Sequence, residues 1–221
     1  MNHPARRAFR SYLRWKLPRG LDGVFVRGLD EAGARMLTGP VLFAPTHSSW
    51  WDGLVVAALD DRMGGDGRLL VKAESLTRLP FFRWVGAIPI DGFKGLRTAA
   101  KHAAPGKALW LFPQGRQRPT HLRPLELRRG WEALARLARA SVVPVSMAYG
   151  FRDQPAPSCF VDFGRPTSDL EGELIAGLED IDRQLDGEDM GFHPLFEGKA
   201  PNPELGLGVR LLGGRREVDD G

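Results

Sequence analysis

Residues 41–59 read VLFAPTHSSWWDGLVVAAL, and the fold can be worked out from this stretch. The apolar run Val41–Ala44, closed by Pro45, reads as a strand buried on both faces. Thr46-His47-Ser48-Ser49 then interrupt the apolar sequence, and 53–59 reads as a helix. The same alternation extends outward in both directions. Val24–Val26, Leu69–Val71, Ala87–Ile90, Ala108–Phe112, Val142–Ala148 and Cys159–Phe163 read as strands. Helices are expected at 30–37, 75–84, 95–104 and 128–139. The clearest helix is 168–185, where Ser168 and Glu171 match a capping box and Leu170, Leu174, Leu178, Ile181 and Leu185 share one face. Strands alternating with helices predict an α/β fold: a single domain with a largely parallel mixed β-sheet flanked by helices.

The chain has 221 residues, 43% of them hydrophobic and 26% charged, which suits one sizeable domain with a real core. Its one cysteine, Cys159, excludes a disulfide scaffold and a cysteine-ligated zinc ribbon. The five histidines are scattered without metal-ligand spacing, so no metal site is expected. No apolar stretch reaches about 18 residues, so no transmembrane helix is expected. The basic N-terminus runs into Arg14, Lys16 and Arg19 instead of a signal-peptide apolar region. The G-x-S-x-G elbow, the G-x4-G-K-[ST] phosphate loop and the G-x-G-x-x-G fingerprint do not occur. Hydrolase, nucleotide-triphosphatase and dinucleotide readings are weakened accordingly.

The net charge of +4 is unevenly spread. Residues 1–20 hold six Lys/Arg and no acid, leaving −2 for the remainder, while 169–190 hold nine acids against one arginine. At about 100° per residue, Ala5, Phe9, Tyr12, Leu13 and Leu17 fall on one side of an N-terminal amphipathic helix. Arg7, Arg10 and Arg14 cluster opposite, with Trp15 on a flank. An apolar stripe opposite arginines suits an anionic membrane surface, the alternative being a helix packed on the domain with a solvated basic back. A nucleic-acid arm fits less well, because no recognition motif accompanies it, and no nucleic-acid partner is expected. The chain therefore divides into a basic membrane-contact helix (1–20), a catalytic domain (21–190) and a Pro/Gly-rich C-terminal tail (191–221), surface-draped or partly disordered.

His47 and Asp52 are five residues apart. On one helix their side chains would point about 140° apart. They meet if His47 lies in the strand-to-helix loop and Asp52 opens the next helix. A carboxylate accepting from one imidazole nitrogen fixes the tautomer and leaves the other nitrogen free to take a proton. By themselves the two residues also fit a helix N-cap and an ordinary loop histidine.

His47-x4-Asp52 resembles the first motif of the glycerolipid acyltransferase family, which includes glycerol-3-phosphate and 1-acylglycerol-3-phosphate acyltransferases. The likeness continues in order through residues 40–150. Leu70-Val-Lys72-Ala-Glu74-Ser-Leu76, Leu79-Pro80-Phe-Phe and Gly86-Ala-Ile-Pro-Ile-Asp91 are similar to the second block. Leu111-Phe-Pro113-Gln114-Gly115-Arg116 stands where the family has F-P-E-G-T-R, and Val142-Val-Pro144-Val145 resembles the fourth block. The resemblance implies transfer of a fatty acyl group from an acyl-CoA or acyl carrier protein thioester to a lipid hydroxyl. His47 would be the general base, Asp52 its orienter, and no cofactor would be permanently bound. It implies a peripheral enzyme on the cytoplasmic, inner face of a membrane.

A thiolate leaves readily and an alcohol needs its proton removed, so one well-placed base is the main requirement. Cys159, between apolar neighbours, reads as a strand residue rather than a nucleophile. Ser48 and Ser49 suit loop hydrogen bonding. Gly115 either turns backbone N–H groups toward a developing oxyanion or simply permits the bend. Trp50 and Trp51 are candidate walls of an acyl channel, although either suits the core equally well.

The pattern departs from the family at the cations. Gln114 replaces a glutamate, Gln117 and Gly92 stand where arginines associated with the acceptor's phosphate are found, and neither supplies their charge. Either Lys72, Lys94, Arg97, Arg116 and Arg118 rebuild a phosphate site with Gln114 and Gly115, or the acceptor is a glycolipid or another hydroxylated lipid. A thioesterase and a non-catalytic lipid-binding relative are the competing classes. If residues 1–18 are a detachable anchor, deleting them weakens liposome association and spares activity on short-chain soluble substrates.

Overall fold

The computed structural model describes residues 3–78, 82, 86–152 and 154–197. Strands β1 (Gly23–Arg27), β2 (Val41–Pro45), β3 (Arg68–Lys72), β4 (Ile88–Ile90), β5 (Ala108–Leu111), β6 (Ser141–Gly150), β7 (Ser158–Phe163) and β8 (His193–Glu197) form one sheet in the order β4-β3-β5-β2-β6-β7-β1-β8. Pairings from β4 through β6 are parallel, as is β1 with β7, while β6–β7 and β1–β8 are antiparallel. Helices α1 (His3–Gly20), α2 (Leu29–Thr38), α3 (Asp52–Arg62), α4 (Ala73–Arg78), α5 (Gly92–Ala100), α6 (Gly130–Ala138) and α7 (Leu170–Leu185) cover the sheet. The protein is a single α/β domain built on a mostly parallel mixed sheet.

Side-chain alternation divides the core into two layers. In β2, Val41 and Phe43 join the cluster under α1, α2 and α3, whereas Leu42 and Ala44 join the one under α5, α6 and α7. This is why the run from Val41 to Pro45 lacks a polar face: a central strand with helices on both sides buries every residue. Because β5 inserts between β3 and β2, the loops that follow β2 and β5 lie side by side beyond the carboxyl ends of parallel strands, the usual place for a site in such sheets.

Several boundaries differ from the sequence reading, for identifiable reasons. Asp169, not Ser168, caps α7 by accepting the Gly172 N–H at 3.1 Å. Glu171 does not close a capping box; its carboxylate accepts the Leu125 N–H at 2.6 Å and ties α7 to the loop after β5. The helix expected at 95–104 occupies Gly92–Ala100, starting where Asp91 is still extended. Of the helix expected at 75–84, the described part is α4; residues 79–81 and 83–85 lie outside the described residues, including Leu79, Pro80 and Phe81 of the second block. Within the supposed tail, His193–Glu197 pairs antiparallel with β1 as an edge strand, since β1 would otherwise leave one backbone edge unpaired. Residues 198–221 lie outside the described residues.

The apolar stripe of α1 is divided. Leu13 and Leu17, 4% and 2% exposed, are part of the domain core, and Phe9 packs against it. Arg10 pairs with Asp61 of α3. Tyr12 and Trp15 face outward, Trp15 with 51% of its surface exposed under the Arg19 guanidinium. Residues 1–18 are therefore not detachable: their removal uncovers the layer under α3, and activity on soluble substrates would not survive intact. No helix among the described residues is long and apolar enough to cross a membrane.

Leu17→Ala is expected to lower the unfolding free energy by about 2–5 kcal/mol. Trp15→Ser should change it by less than about 0.5 kcal/mol. Urea titration of both variants distinguishes the packed side of α1 from the free one.

Candidate active site

Pro45 ends β2, and Thr46 extends the ladder with its side chain. Its N–H donates to the Val145 carbonyl at 3.0 Å, and its hydroxyl accepts the Met147 N–H at 2.8 Å while donating to the Met147 carbonyl at 2.9 Å. The next residue, His47, is thereby fixed at the end of a buried strand. Five residues on, Asp52 begins α3, where a carboxylate is favoured by the helix N-terminus. Its side chain turns back into the loop instead of capping the helix.

His47 Nδ1 lies 2.7 Å from Asp52 Oδ2. The same oxygen accepts the N–H of Ser48 at 2.7 Å and of Ser49 at 2.9 Å. Asp52 Oδ1 accepts the Tyr149 hydroxyl at 2.6 Å. Asp52 is 0% exposed, so these donors replace the water an ionised carboxylate would otherwise need. Nδ1 facing a carboxylate is the donor, which leaves Nε2 as the acceptor in the neutral ring. The ring stacks on Phe112 with centroids 4.2 Å apart.

Ser48 and Ser49 serve the loop, as expected. Their amides bind Asp52, and Ser49 Oγ accepts the Trp51 N–H at 3.2 Å. Cys159 is wholly buried, and burial first, then Asp52, raises its pKa far above the thiol range. It is a protonated packing residue.

The loop after β5 holds His47 from the other side. Gln114 Oε1 accepts the His47 N–H at 2.7 Å, and its Nε2 donates to the Leu125 carbonyl at 3.2 Å. The Arg118 N–H donates to the His47 carbonyl at 2.7 Å. Gln114 is 3% exposed with both ends of its amide engaged, so it faces the loop and not the cleft assigned to it from sequence. Of the two readings of Gly115, the bend is what is seen: its own N–H closes a turn on the Phe112 carbonyl at 3.1 Å. Gly115 has φ +65°, which favours glycine at this turn, and a Cβ there would lie 3.0 Å from Arg128 Nε and crowd that side chain.

Two cavities, of about 330 and 450 Å³, share His47, Val71, Lys72, Phe112 and Gly115. The first continues past Ile90 and Leu96 to Arg128 and Trp131. The second runs along Trp50, Leu54, Leu69, Leu76 and Phe82. Trp50, 48% exposed, lines this second cavity. Trp51 does not; it packs against the core, edge-on to Trp50 at 5.3 Å and beneath Lys16.

The cations expected around the site are not assembled as one group. Lys72 lines both cavities, and Arg116 lines the second. Arg116 and Arg118 both pair with Glu126, at 2.5 and 2.8 Å, and Glu126 is held below the usual carboxylate range, first by Arg116. Lys94 and Arg97 are exposed on α5 and line neither cavity. Arg128 and Tyr149 carry no local signal in the sequence that marks them as site residues. Arg128 lies in a basic run with nothing to distinguish it, and Tyr149 reaches Asp52 only through the pairing of β6 with β2.

A half-buried His47 thus meets a fully buried Asp52 beside the carboxyl ends of a parallel sheet, in an α/β domain. Residues 23–148, more than half of the chain, match the family model described as Acyltransferase, and the protein belongs to that family; it is an acyltransferase. No curated protein sequence matches it. A solved structure similar to it is the 1-acyl-sn-glycerophosphate (LPA) acyltransferase PlsC from Thermotoga maritima, at 15% identity and TM-score 0.48, covering 83% of this chain and 78% of that one.

A glutamate at position 114 cannot donate to the Leu125 carbonyl. Gln114→Glu is therefore expected to cost about 1–3 kcal/mol of stability, measured by chemical denaturation, although glutamate is the residue of the motif it resembles.

Proposed function

We propose that the protein transfers a fatty acyl group from an acyl-CoA or acyl carrier protein thioester to the hydroxyl of a lysophosphatidic-acid-like lipid. The observation that carries this reading is the 2.7 Å contact between His47 and a fully buried Asp52 at the junction of two cavities. His47 Nε2 takes the proton from the acceptor hydroxyl as its oxygen bonds to the thioester carbonyl carbon. Asp52 holds the Nδ1–H and balances the imidazolium that forms. When the tetrahedral intermediate collapses, the C–S bond breaks and Nε2 returns its proton to the departing sulfur. The products are an oxygen ester and a free thiol, and the base is regenerated without a covalent enzyme intermediate.

The second cavity carries Lys72, Glu74 and Arg116 on its lining, but its row of Trp50, Leu54, Leu69, Leu76 and Phe82 suits the acyl chain. The first cavity has two cations, Lys72 and Arg128, and no acid among its lining residues, which favours an anionic headgroup near the reacting hydroxyl. Lys72 belongs to the set expected from sequence and Arg128 joins it, whereas Arg116 and Arg118 of that set pair with Glu126. Access from a membrane surface is supported by the outward Tyr12 and Trp15 on α1, among the exposed Arg7, Arg14 and Arg19. Lys16 over Trp51, and Trp51 against Trp50, continue this aromatic series to the cavity mouth. We place the protein peripherally on the inner, cytoplasmic face of the membrane.

With acyl-CoA and lysophosphatidic acid, thiol release should require both substrates and vanish in His47→Ala. Asp52→Asn should lower kcat about 10²–10⁴-fold with little change in acceptor KM. Unchanged kcat in that variant removes Asp52 from the orienting role. Thiol release without acceptor marks a thioesterase instead, and lipid binding without turnover marks a binding protein. Arg128→Met should raise KM for the phosphate-bearing acceptor and leave a neutral glycolipid acceptor unaffected. A glycolipid preferred by the wild type overturns the anionic acceptor. Replacing Tyr12 and Trp15 together by serine should weaken association with anionic liposomes in a sedimentation assay.

A further inference from the structure

Asp52 has two carboxylate oxygens in different surroundings. Oδ2 receives His47 Nδ1 and the amides of Ser48 and Ser49, all from the loop after β2. Oδ1 receives the hydroxyl of Tyr149, from a different element altogether. Tyr149 gets there because β6 is ten residues long and pairs with β2 only as far as Pro45 opposite Val145. Beyond that point β6 continues under the first turn of α3, and Tyr149 shares the face of Val145 and Met147 in the layer beneath that helix. At 2.6 Å the contact falls in the range of charge-assisted O–H···O⁻ bonds.

We propose that Tyr149 is a positioning residue that lowers the proton affinity of the His47–Asp52 pair, so that His47 is unprotonated and ready to act as base at neutral pH. The proposal rests on the general-base reading of His47. A hydroxyl dipole aimed at a carboxylate stabilises its negative charge and weakens its pull on the neighbouring imidazolium. Losing that donor concentrates charge on the carboxylate and favours the protonated ring, so the pair becomes more basic.

The surroundings leave Tyr149 free to play this fixed role. Burial, then Cys159 and then Asp52 push its own ionisation far above the tyrosine range, so it remains a donor at any working pH. Behind it Cys159 of β7 stands opposite in register, with its thiol likewise pushed up by burial. On the cavity side of His47 lie Lys72 of β3, Glu74 of α4, and Arg116 and Arg128 of the loop after β5. Histidine is the residue type among these that changes charge between pH 5 and 8.

Tyr149→Phe should move the acid limb of the kcat/KM profile upward by about 0.5–1 pH unit, while acceptor KM at the plateau changes less than about twofold. Nitrogen NMR of His47 in the substrate-free protein, assigned with His47→Gln, should give the same upward shift. That measurement needs no turnover, so failure of the acyl-transfer reading leaves it interpretable. The chain has two tyrosines, Tyr12 and Tyr149, so in a Tyr12→Phe background 3-fluorotyrosine enters at position 149 alone. Its more acidic phenol is a stronger donor and should move the His47 titration downward relative to the same background with ordinary tyrosine. An unmoved titration in both proteins, with activity lowered by one factor at every pH, overturns the proposal in favour of a merely structural role. If Tyr149→Phe does not fold, the fluorotyrosine protein decides alone, and no downward shift overturns it.

Discussion

The site depends on one buried carboxylate. Asp52 is removed from water and is kept there by donors from three directions: the imidazole of His47, two loop amides and the phenol of Tyr149. A bare carboxylate in such a place would cost several kcal/mol, so the site cannot exist without the loop and strands that supply these groups. The start of α3 adds its own favourable field. The H-x4-D spacing is the chain length needed for a loop to leave β2, present two amides inward and enter a helix whose first residue turns back to the histidine.

A second constraint is the adjacency of the loops after β2 and β5, which follows from the strand order. Gln114 joins them with a primary amide, accepting from the His47 N–H and donating to the Leu125 carbonyl. A residue that looked from its motif like a substrate ligand that had lost its charge is instead matched to one donor and one acceptor of the backbone. Glu171 reaches the same loop from α7, so a helix distant in sequence also contributes to holding the histidine. Such supporting contacts fix His47 from the loop side while the ring stays open to both cavities.

The N-terminal helix meets two requirements at once. Leu13 and Leu17 complete the layer under α3, and Tyr12 and Trp15 remain outside with the arginines. Helical periodicity correctly identifies an apolar stripe but says nothing of how many residues of it a neighbouring domain will cover. The packed-helix reading holds for the Leu13–Leu17 side, and the other side leaves Tyr12 and Trp15 exposed.

The succession of strands and helices was legible in the sequence because a two-sided parallel sheet demands continuous apolar runs, and the run from Val41 to Ala44 is one. The His47–Asp52 pair and the inert character of Cys159 were also legible, since each depends on residues close in the chain. Tertiary structure alone decided what lies between elements distant in sequence. It placed Tyr149 on Asp52, Arg128 over Gly115, Glu126 between Arg116 and Arg118, and the edge strand at 193–197 beside β1. Local patterns report which face of a strand or helix is buried. The pairing partner of each strand, and hence the neighbour of each side chain, is a global solution to covering both faces of the sheet, and no short stretch of sequence contains it.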